Sequence, residues 1–328
     1  MKYFDNTRVS SAKNCLRQYF LRHNLDWVRD GLSPALGFGL SWHDGQDAIW
    51  AMAGNPDISD SNILGAAMQR FNSTWAEQGF PLWEDMTPEE EDRYAPRTPG
   101  IAAEMFHNYI AKRRGLIKQY EVVAIEQPFA VPIFPDRDDI FYIGRFDKVI
   151  REPKSGKIIL IEHKTTTSYK KGGPFRTDYL ESWSPNSQID GYLYAANMLW
   201  PGQVKEVWVD AALVHKQIHD GFKFVPINRA TEMMDSWLYE TRFWINLILA
   251  QEEEFYEAQT SMLEQPFMSV FPKNTGACTH YAGCSFRDIC KSISNPALVS
   301  EPPLGYKKEH WSPFDVLELD KIGMPPEE

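Results

Sequence analysis

The sequence predicts an α/β fold with a central sheet, flanking helices and a helical N-terminal part. Residues 1–118 place apolar side chains at the spacing of amphipathic helices, whereas from residue 119 apolar residues alternate or form continuous runs, as in strands. Helical patterns recur among these runs, which is typical of an α/β domain. With 328 residues, 43% of them hydrophobic, the chain is long enough to bury a sizeable core.

The predicted elements follow one another in a definite order. Four helices come first, at 8–24, 41–54, 60–79 and 98–117. Three strands, a helix, two strands and a long helix follow, at 120–131, 140–150, 157–165, 185–200, 204–215, 221–227 and 229–258. The stretches 80–99, 169–184 and 270–328 carry proline, glycine or acidic residues and are predicted to be irregular.

Composition limits the class of protein. No apolar run approaches the ~20 residues that a membrane span needs, and the N-terminus lacks the apolar core of a secretory signal. We therefore expect a soluble, cytoplasmic protein without a membrane partner. The net charge of −11 argues weakly against a nucleic-acid partner. Basic residues gather at 112–118 and 163–171, however, so a local basic cleft that binds nucleic acid remains an alternative.

The stretch GRFDKVIREPKSGKIILIEHKTTT, residues 144–167, is the most informative part of the sequence. Two apolar runs flank the turn-like PKSG, which predicts a β-hairpin. Asp147 lies on one arm, and Glu162 and Lys164 share a face at the end of the other because they are two residues apart. The hairpin lets Asp147 approach Glu162.

Two carboxylates held together in a partly buried place repel each other, and a divalent cation removes that conflict. Hard oxygen ligands suit Mg²⁺ or Mn²⁺, and the backbone carbonyl of His163 offers another oxygen. Lys164 would then orient or activate an attacking water, or stabilise charge on a phosphate. The alternative is an ordinary strand end with solvated charges and Asp147 in an ion pair.

At these residues the sequence resembles the PD-(D/E)xK nuclease superfamily, and within it the RecB-like exonucleases. Asp147, Glu162 and Lys164 match the family's D…(D/E)xK motif, which binds the catalytic metal. The resemblance implies a restriction-endonuclease-like core, a mixed sheet flanked by helices. It also implies one nuclease domain over 1–328, with a helical part (1–118), an α/β core (119–258), a cysteine segment (259–295) and a proline-rich tail (296–328).

Four further positions match family features. Gln188 and Tyr192, four residues apart on one helix face, match a QxxxY motif that lines the DNA path. His43 matches a histidine near the metal, and Glu126 matches a glutamate that coordinates metal directly or through water. Each has a plain structural alternative: an amphipathic helix, a structural histidine and an edge-strand acid.

Hydroxyl and lysine side chains follow the acid-x-Lys strand. The TTTS stretch with Lys170 and Lys171 suits DNA backbone phosphates, and it equally suits a solvated loop.

The four cysteines are Cys15, Cys278, Cys284 and Cys290. Their spacing is wider than that of zinc ribbons, and four thiolates also ligate iron–sulfur clusters. A subset of RecB-like nucleases, including CRISPR adaptation nucleases and AddB-type subunits, binds a 4Fe–4S cluster through one early and three late cysteines. The resemblance implies such a cluster here, with Zn²⁺ as the alternative and either a structural or a redox role.

Taken together, these features predict a metal-dependent deoxyribonuclease, with exonuclease action on single-stranded or end-containing double-stranded DNA as the first expectation. An endonuclease or flap nuclease, a non-catalytic DNA-binding scaffold and a redox protein are the alternatives, and RNA stays open as a substrate. The tail at 300–328 is a candidate segment for binding a protein partner. The oligomeric state is not predicted.

Overall fold

The computed structural model describes residues 1–258, 264–280 and 283–317. Parts of the predicted cysteine segment, at 259–263 and 281–282, lie outside the described residues. The end of the predicted tail, from residue 318 onward, does so as well. The division into one domain with four parts therefore stays a prediction.

Two compact units alternate along the chain. The terminal unit consists of Met1–Gly31, Ala130–Gly144 and the described residues from Thr231 onward. The central unit consists of Leu32–Phe129 and Arg145–Ala230.

The described residues form eight strands and eleven α-helices. The strands are β1 (Lys2–Phe4), β2 (Trp27–Arg29), β3 (Glu121–Pro132), β4 (Ile140–Arg151), β5 (Ile158–Thr166), β6 (Val204–Leu213), β7 (Phe222–Ile227) and β8 (Tyr306–Lys308). The helices are α1 (Asn6–Asn14), α2 (Leu16–Tyr19), α3 (Pro34–Met52), α4 (Asp60–Glu77), α5 (Pro88–Tyr94), α6 (Pro99–Ile117), α7 (Thr177–Glu181), α8 (Ser187–Leu199), α9 (Thr231–Glu257), α10 (Arg287–Ser292) and α11 (Pro313–Leu317).

A mixed sheet forms the centre of the central unit. Strands β4 and β5 form the predicted antiparallel hairpin, β5 and β6 are parallel, and β6 and β7 are antiparallel. The parallel step is possible because α8 carries the chain back between β5 and β6. Strand β3 also pairs with β4. The α/β architecture with a mixed sheet is therefore confirmed.

Helices α3, α4 and α6 pack their apolar faces into one aromatic core of the central unit. Trp42 of α3 stacks on Phe106 of α6 with ring centroids 4.3 Å apart. Gly45 permits this contact, because a Cβ at that position would lie 2.2 Å from the Phe106 ring. The core thus fixes the rotation of α3 about its axis, which matters because α3 carries His43.

The structure extends or divides several predicted elements. Helix α3 begins seven residues before the predicted 41–54 helix, because Ser33 caps it and Pro34 suits its first turn. The predicted loop 80–99 contains α5, which has a capping box formed by Thr87 and Glu90. Strands β1, β2 and β8 have three residues each, too few to show a period in the sequence.

The predicted helix 8–24 is interrupted at Cys15, whose backbone is extended. Asn274 explains the interruption, because its backbone N–H donates to Cys15 Sγ at 3.3 Å and its side-chain amide donates to the Asn14 carbonyl at 2.8 Å. These contacts within the terminal unit override the local helical pattern.

Candidate metal centre

The β4–β5 hairpin positions the three residues of the sequence motif. Its register pairs Lys148 with Ile161. Asp147 and Glu162 are the neighbouring residues of this pair on the two antiparallel strands, so they lie on the same side of it. The turn is closed by Gly156, whose φ of +69° is in the left-handed region that glycine adopts without strain. The backbone N–H of His163 donates to Asp147 Oδ2 at 2.7 Å, which holds this carboxylate against β5.

His43, Glu126 and Asp147 lie together in the structure. Each offers one ligand atom, and these atoms lie within 4.8 Å of one another. His43 Nδ1 is 3.3 Å from Asp147 Oδ2. Glu126 has a φ of +52°, which costs a non-glycine residue roughly 1–3 kcal/mol. Strand β3 therefore departs from regular geometry at the residue that joins this group.

Glu162 is 1% exposed, and its two oxygens have different surroundings. Oε1 accepts a hydrogen bond from Gln188 Nε2 at 2.8 Å and forms an ion pair with Lys164. Oε2 is buried and has no hydrogen-bond partner among the described residues. An orphaned carboxylate oxygen in such a place is costly unless a further ligand satisfies it.

Helix α8 supports Glu162 from outside the hairpin. The Asn186 side chain accepts hydrogen bonds from the first backbone N–H groups of α8 and so fixes the start of the helix. Gln188 then reaches Glu162, and it also donates to the Tyr192 hydroxyl at 3.1 Å. The structure therefore places Gln188 and Tyr192 at the predicted site.

The ionisation of these groups reflects crowded carboxylates in a buried place. Burial raises the pKa of Glu162, the charge of Asp147 raises it further, and Lys164 opposes both. Burial and Asp147 likewise raise the pKa of Glu126 to about 8. Burial would lower the pKa of Lys164, but Glu162 and Asp147 outweigh it and raise that pKa. Burial, with Lys164 nearby, lowers the pKa of His43 to about 3, so its imidazole is neutral.

The donor set fits a divalent cation. Carboxylate oxygens from Glu126 and Asp147 are hard ligands, and neutral His43 adds a nitrogen to the same group. Glu162 is not part of that group, and its unpartnered Oε2 offers a further carboxylate oxygen near Asp147. A bound cation would offset the repulsion from Asp147 that, together with burial, raises the pKa values of Glu126 and Glu162.

A group of polar side chains that includes buried Asp210 lies next to the His163 imidazole. The His163 backbone holds Asp147, whereas its side chain is fully buried with Nδ1 3.3 Å from Asp210 Oδ2. Tyr109 donates to Asp210 Oδ2 at 2.6 Å, and Arg113 Nη2 is 3.2 Å from Oδ1. The His163 imidazole lies beside this buried polar network, but neither of its ring nitrogens has a hydrogen-bond partner among the described residues. Its backbone carbonyl stays a predicted ligand.

Sequence analysis missed two charged residues at the centre, Asp47 and Lys148. Asp47 is four residues after His43 on α3 and therefore shares its face. Lys148 follows Asp147 and is fully buried with its Nζ bonded to Asp47. The i, i+4 relation to His43 is the sequence feature that would have predicted Asp47 at this site. No sequence pattern indicated that Lys148 is buried.

Lys170 and Lys171 lie exposed in the turn that follows β5, where Lys170 forms a bridge with Gly173. They are outside the group of metal-ligand atoms. Their contact with DNA phosphates stays a prediction.

The four cysteines belong to the terminal unit and line one cavity. All four are free thiols, so none forms a disulfide. Burial raises the pKa of Cys284 and Cys290, and neighbouring cysteines contribute in the same direction. Lys273 donates to the Cys290 carbonyl at 2.8 Å, beside the same cavity. The structure thus gathers the predicted set, and their ligand role stays a prediction.

Comparison with known proteins agrees with this geometry. The model of the PD-(D/E)XK nuclease superfamily matches residues 6–291. A comparison with curated proteins gives no match. No helix among the described residues combines the length and apolar character that crossing a membrane requires. The mixed sheet, its flanking helices and the acidic hairpin agree with a restriction-endonuclease-like fold, and the chain belongs to the PD-(D/E)XK nuclease superfamily.

Proposed function

We propose that this nuclease is a metal-dependent deoxyribonuclease that acts as an exonuclease on DNA ends. The observation that carries the proposal is the buried, unpartnered Oε2 of Glu162 beside Asp147 and the His43–Glu126–Asp147 group. A non-catalytic DNA-binding scaffold would not need this oxygen to be free, nor Lys164 to be paired at the same carboxylate.

His43, Glu126, Asp147 and Glu162 would hold Mg²⁺ or Mn²⁺, with the carbonyl of His163 as a further ligand. A bound cation supplies a lowered pKa for an attacking water and neutralises charge on the phosphate. The protein positions it: His163 N–H holds Asp147, and Gln188 holds Glu162 so that Oε2 stays available.

Lys164 acts as a donor. Its ammonium contacts Glu162 Oε1, and a charged lysine has three N–H donors and no acceptor. It therefore orients the attacking water or stabilises negative charge on the phosphate, and it does not take the proton of the water. Tyr192 steadies Gln188 from the next turn of α8.

Exonuclease action on DNA rests on the RecB-like features of the chain. The QxxxY pair lies on α8, where Gln188 contacts Glu162 and Tyr192 contacts Gln188, which supports a DNA path along this helix. Exposed Lys170 and Lys171 lie in the turn that follows β5 and suit backbone phosphates.

We also propose that the four cysteines hold a 4Fe–4S cluster, with Zn²⁺ as the alternative. They line one cavity, and the N–H of Asn274 donates to Cys15 Sγ, as backbone amides do to ligating sulfur. Iron, sulfide and zinc content of the purified protein distinguishes the two.

The experiment that tests the nuclease proposal is cleavage of end-labelled single- and double-stranded DNA with Mg²⁺ or Mn²⁺. Protein is purified without oxygen, and wild type is compared with Glu162→Ala and with the exposed control Glu152→Ala. Wild type and Glu152→Ala should cleave, with products shortened stepwise from an end, and Glu162→Ala should not. Internal products would support an endonuclease, and no cleavage by folded wild type would contradict the proposal.

A further inference from the structure

Lys148 lies beside the metal centre, and the proposed mechanism does not use it. It follows Asp147 on β4, and its side chain is fully buried. Lysine is almost never fully buried unless its charge is paired. The partners of Lys148 should therefore explain why the chain keeps a charge there.

Two carboxylates surround the Lys148 ammonium. Its Nζ donates to Asp47 Oδ1, and it lies 4.0 Å from Glu126 Oε1. Asp47 lies on the helix that carries His43, and Glu126 is one of the three grouped metal-ligand residues. Lys148 thus lies between an acid of the centre and a neighbouring acid.

The local charge agrees with one divalent ion. Four carboxylates and two lysines meet at the centre. When a bound cation keeps all four carboxylates ionised, these groups leave two negative charges, which is the charge that one divalent ion neutralises. The groups are Asp47, Glu126, Asp147, Glu162, Lys148 and Lys164.

Two partly exposed arginines lie at the edge of the centre. Arg145 Nη1 is 3.6 Å from Glu126 Oε2, and the more exposed Arg70 Nη1 is 4.0 Å from Asp47 Oδ2. Solvent screens these two charges more than that of fully buried Lys148, so Lys148 is the cation that most reduces the attraction of the centre for a second divalent ion.

We infer that Lys148 takes the place of a second metal ion and limits this centre to one divalent cation. The inference rests on the proposed function, because it takes His43, Glu126, Asp147 and Glu162 as ligands. Without the Lys148 charge, Asp47 and Glu126 become a pair of carboxylates that can bind another cation.

Mn²⁺ titration followed by electron paramagnetic resonance tests this inference without measuring cleavage. The signal of free Mn²⁺, subtracted from the total Mn²⁺ added, gives the number of ions bound per chain. Two bound ions roughly 4 Å apart give a spin-coupled spectrum. Ions bound elsewhere are subtracted with Asp147→Asn. Wild type should bind one uncoupled ion at the centre, and Lys148→Met should bind a coupled pair.

Three variants serve as controls. Lys148→Arg keeps the charge and should bind one ion. The double variant Lys148→Met/Asp47→Asn lacks the acid that would hold the second ion and should also bind one. Lys205→Met removes an exposed lysine of the central unit and should behave as wild type.

A coupled pair in wild type, or one ion in folded Lys148→Met, would overturn the inference. If Lys148→Met does not fold, Asp47→Asn decides, because it leaves the Lys148 charge unbalanced. Asp47→Asn should bind one ion about 10-fold more weakly, and unchanged affinity would overturn the inference. If wild type binds no more Mn²⁺ than Asp147→Asn does, no ion is held at the centre, and the proposed function itself fails.

Discussion

The metal centre and the cysteine cavity assemble their side chains in opposite ways. In the central unit, Asp147, Glu162 and Lys164 come from one hairpin, and neighbouring elements add to it. In the terminal unit, Cys15 and Cys278 are separated by most of the chain and meet where regular structure is sparse. Backbone pairing therefore preorganises the hairpin site, whereas the cysteine site has no such pairing to hold its side chains together.

The largest expected effect concerns the preorganised site. Asp147→Asn should lower kcat for DNA cleavage by about 10³-fold, because loss of one charged ligand removes several kcal/mol of electrostatic stabilisation. Its thermal unfolding should stay close to that of wild type. The exposed Asp220→Asn, in the same unit, is the matched control and should keep full activity. Activity within tenfold of wild type in Asp147→Asn would show that the hairpin does not carry the chemistry.

Cys15→Ser should affect stability instead. If a bound cluster joins Cys15 to the late cysteines, its loss should reduce the free energy of unfolding by roughly 2–5 kcal/mol, as for a long-range crosslink. Iron and sulfide content, visible absorbance and thermal unfolding measure this effect. Ser10→Ala on the preceding helix α1 is the control, and unchanged stability together with unchanged iron content would contradict the cluster.

Gln188 and Tyr192 allow a graded test of the support from α8. Gln188→Ala removes the hydrogen bond to Glu162 Oε1 and should lower kcat about 10-fold or more. Tyr192→Phe leaves that bond in place and should have a smaller effect, with KM for DNA as the second readout. Exposed Gln203→Ala is the control, and equal losses in both variants would contradict this order.

The smallest effect compares two buried histidines. Burial, helped by Arg8 and Arg22, lowers the pKa of His23 in the terminal unit to about 3, as burial does for His43. The unfolded value is about 6.5, so the unfolded state binds the proton first as pH falls. His23 therefore contributes stability above pH ~6.5 that is lost on acidification towards pH 3.

His23→Phe removes this titration. Relative to the variant, wild type should lose up to about 2 kcal/mol of unfolding free energy between pH 7 and pH 5. Denaturant unfolding at both pH values measures the difference, and exposed His107→Phe is the control. A pH dependence of stability that is equal in His23→Phe and wild type would contradict the buried neutral imidazole.

Sequence patterns predicted most of the centre because its main parts are local. The hairpin register follows from two apolar runs and a turn, so Asp147 and Glu162 could be placed without knowing other contacts. The positions of His43 and Glu126 near the metal were predicted only from family resemblance. They depend on the packing of α3 and on the left-handed backbone at residue 126, which no local pattern shows.

The rest depends on contacts that no local pattern records. Lys148 is buried only because Asp47 approaches it from another element. The break at Cys15 depends on Asn274, far along the chain, and the three-residue strands exist only through their partners. Residues whose structure is decided by distant partners are therefore the ones that sequence reasoning missed.

Anomalous X-ray scattering from crystals grown with Mn²⁺ would locate the metal ion. We expect one manganese peak bound by Asp147 and Glu162 Oε2, with His43 and Glu126 around it, and no peak in Glu162→Gln. A peak whose ion does not contact Glu162 would contradict the proposed centre. So would DNA cleavage by protein whose crystals hold no manganese between these carboxylates.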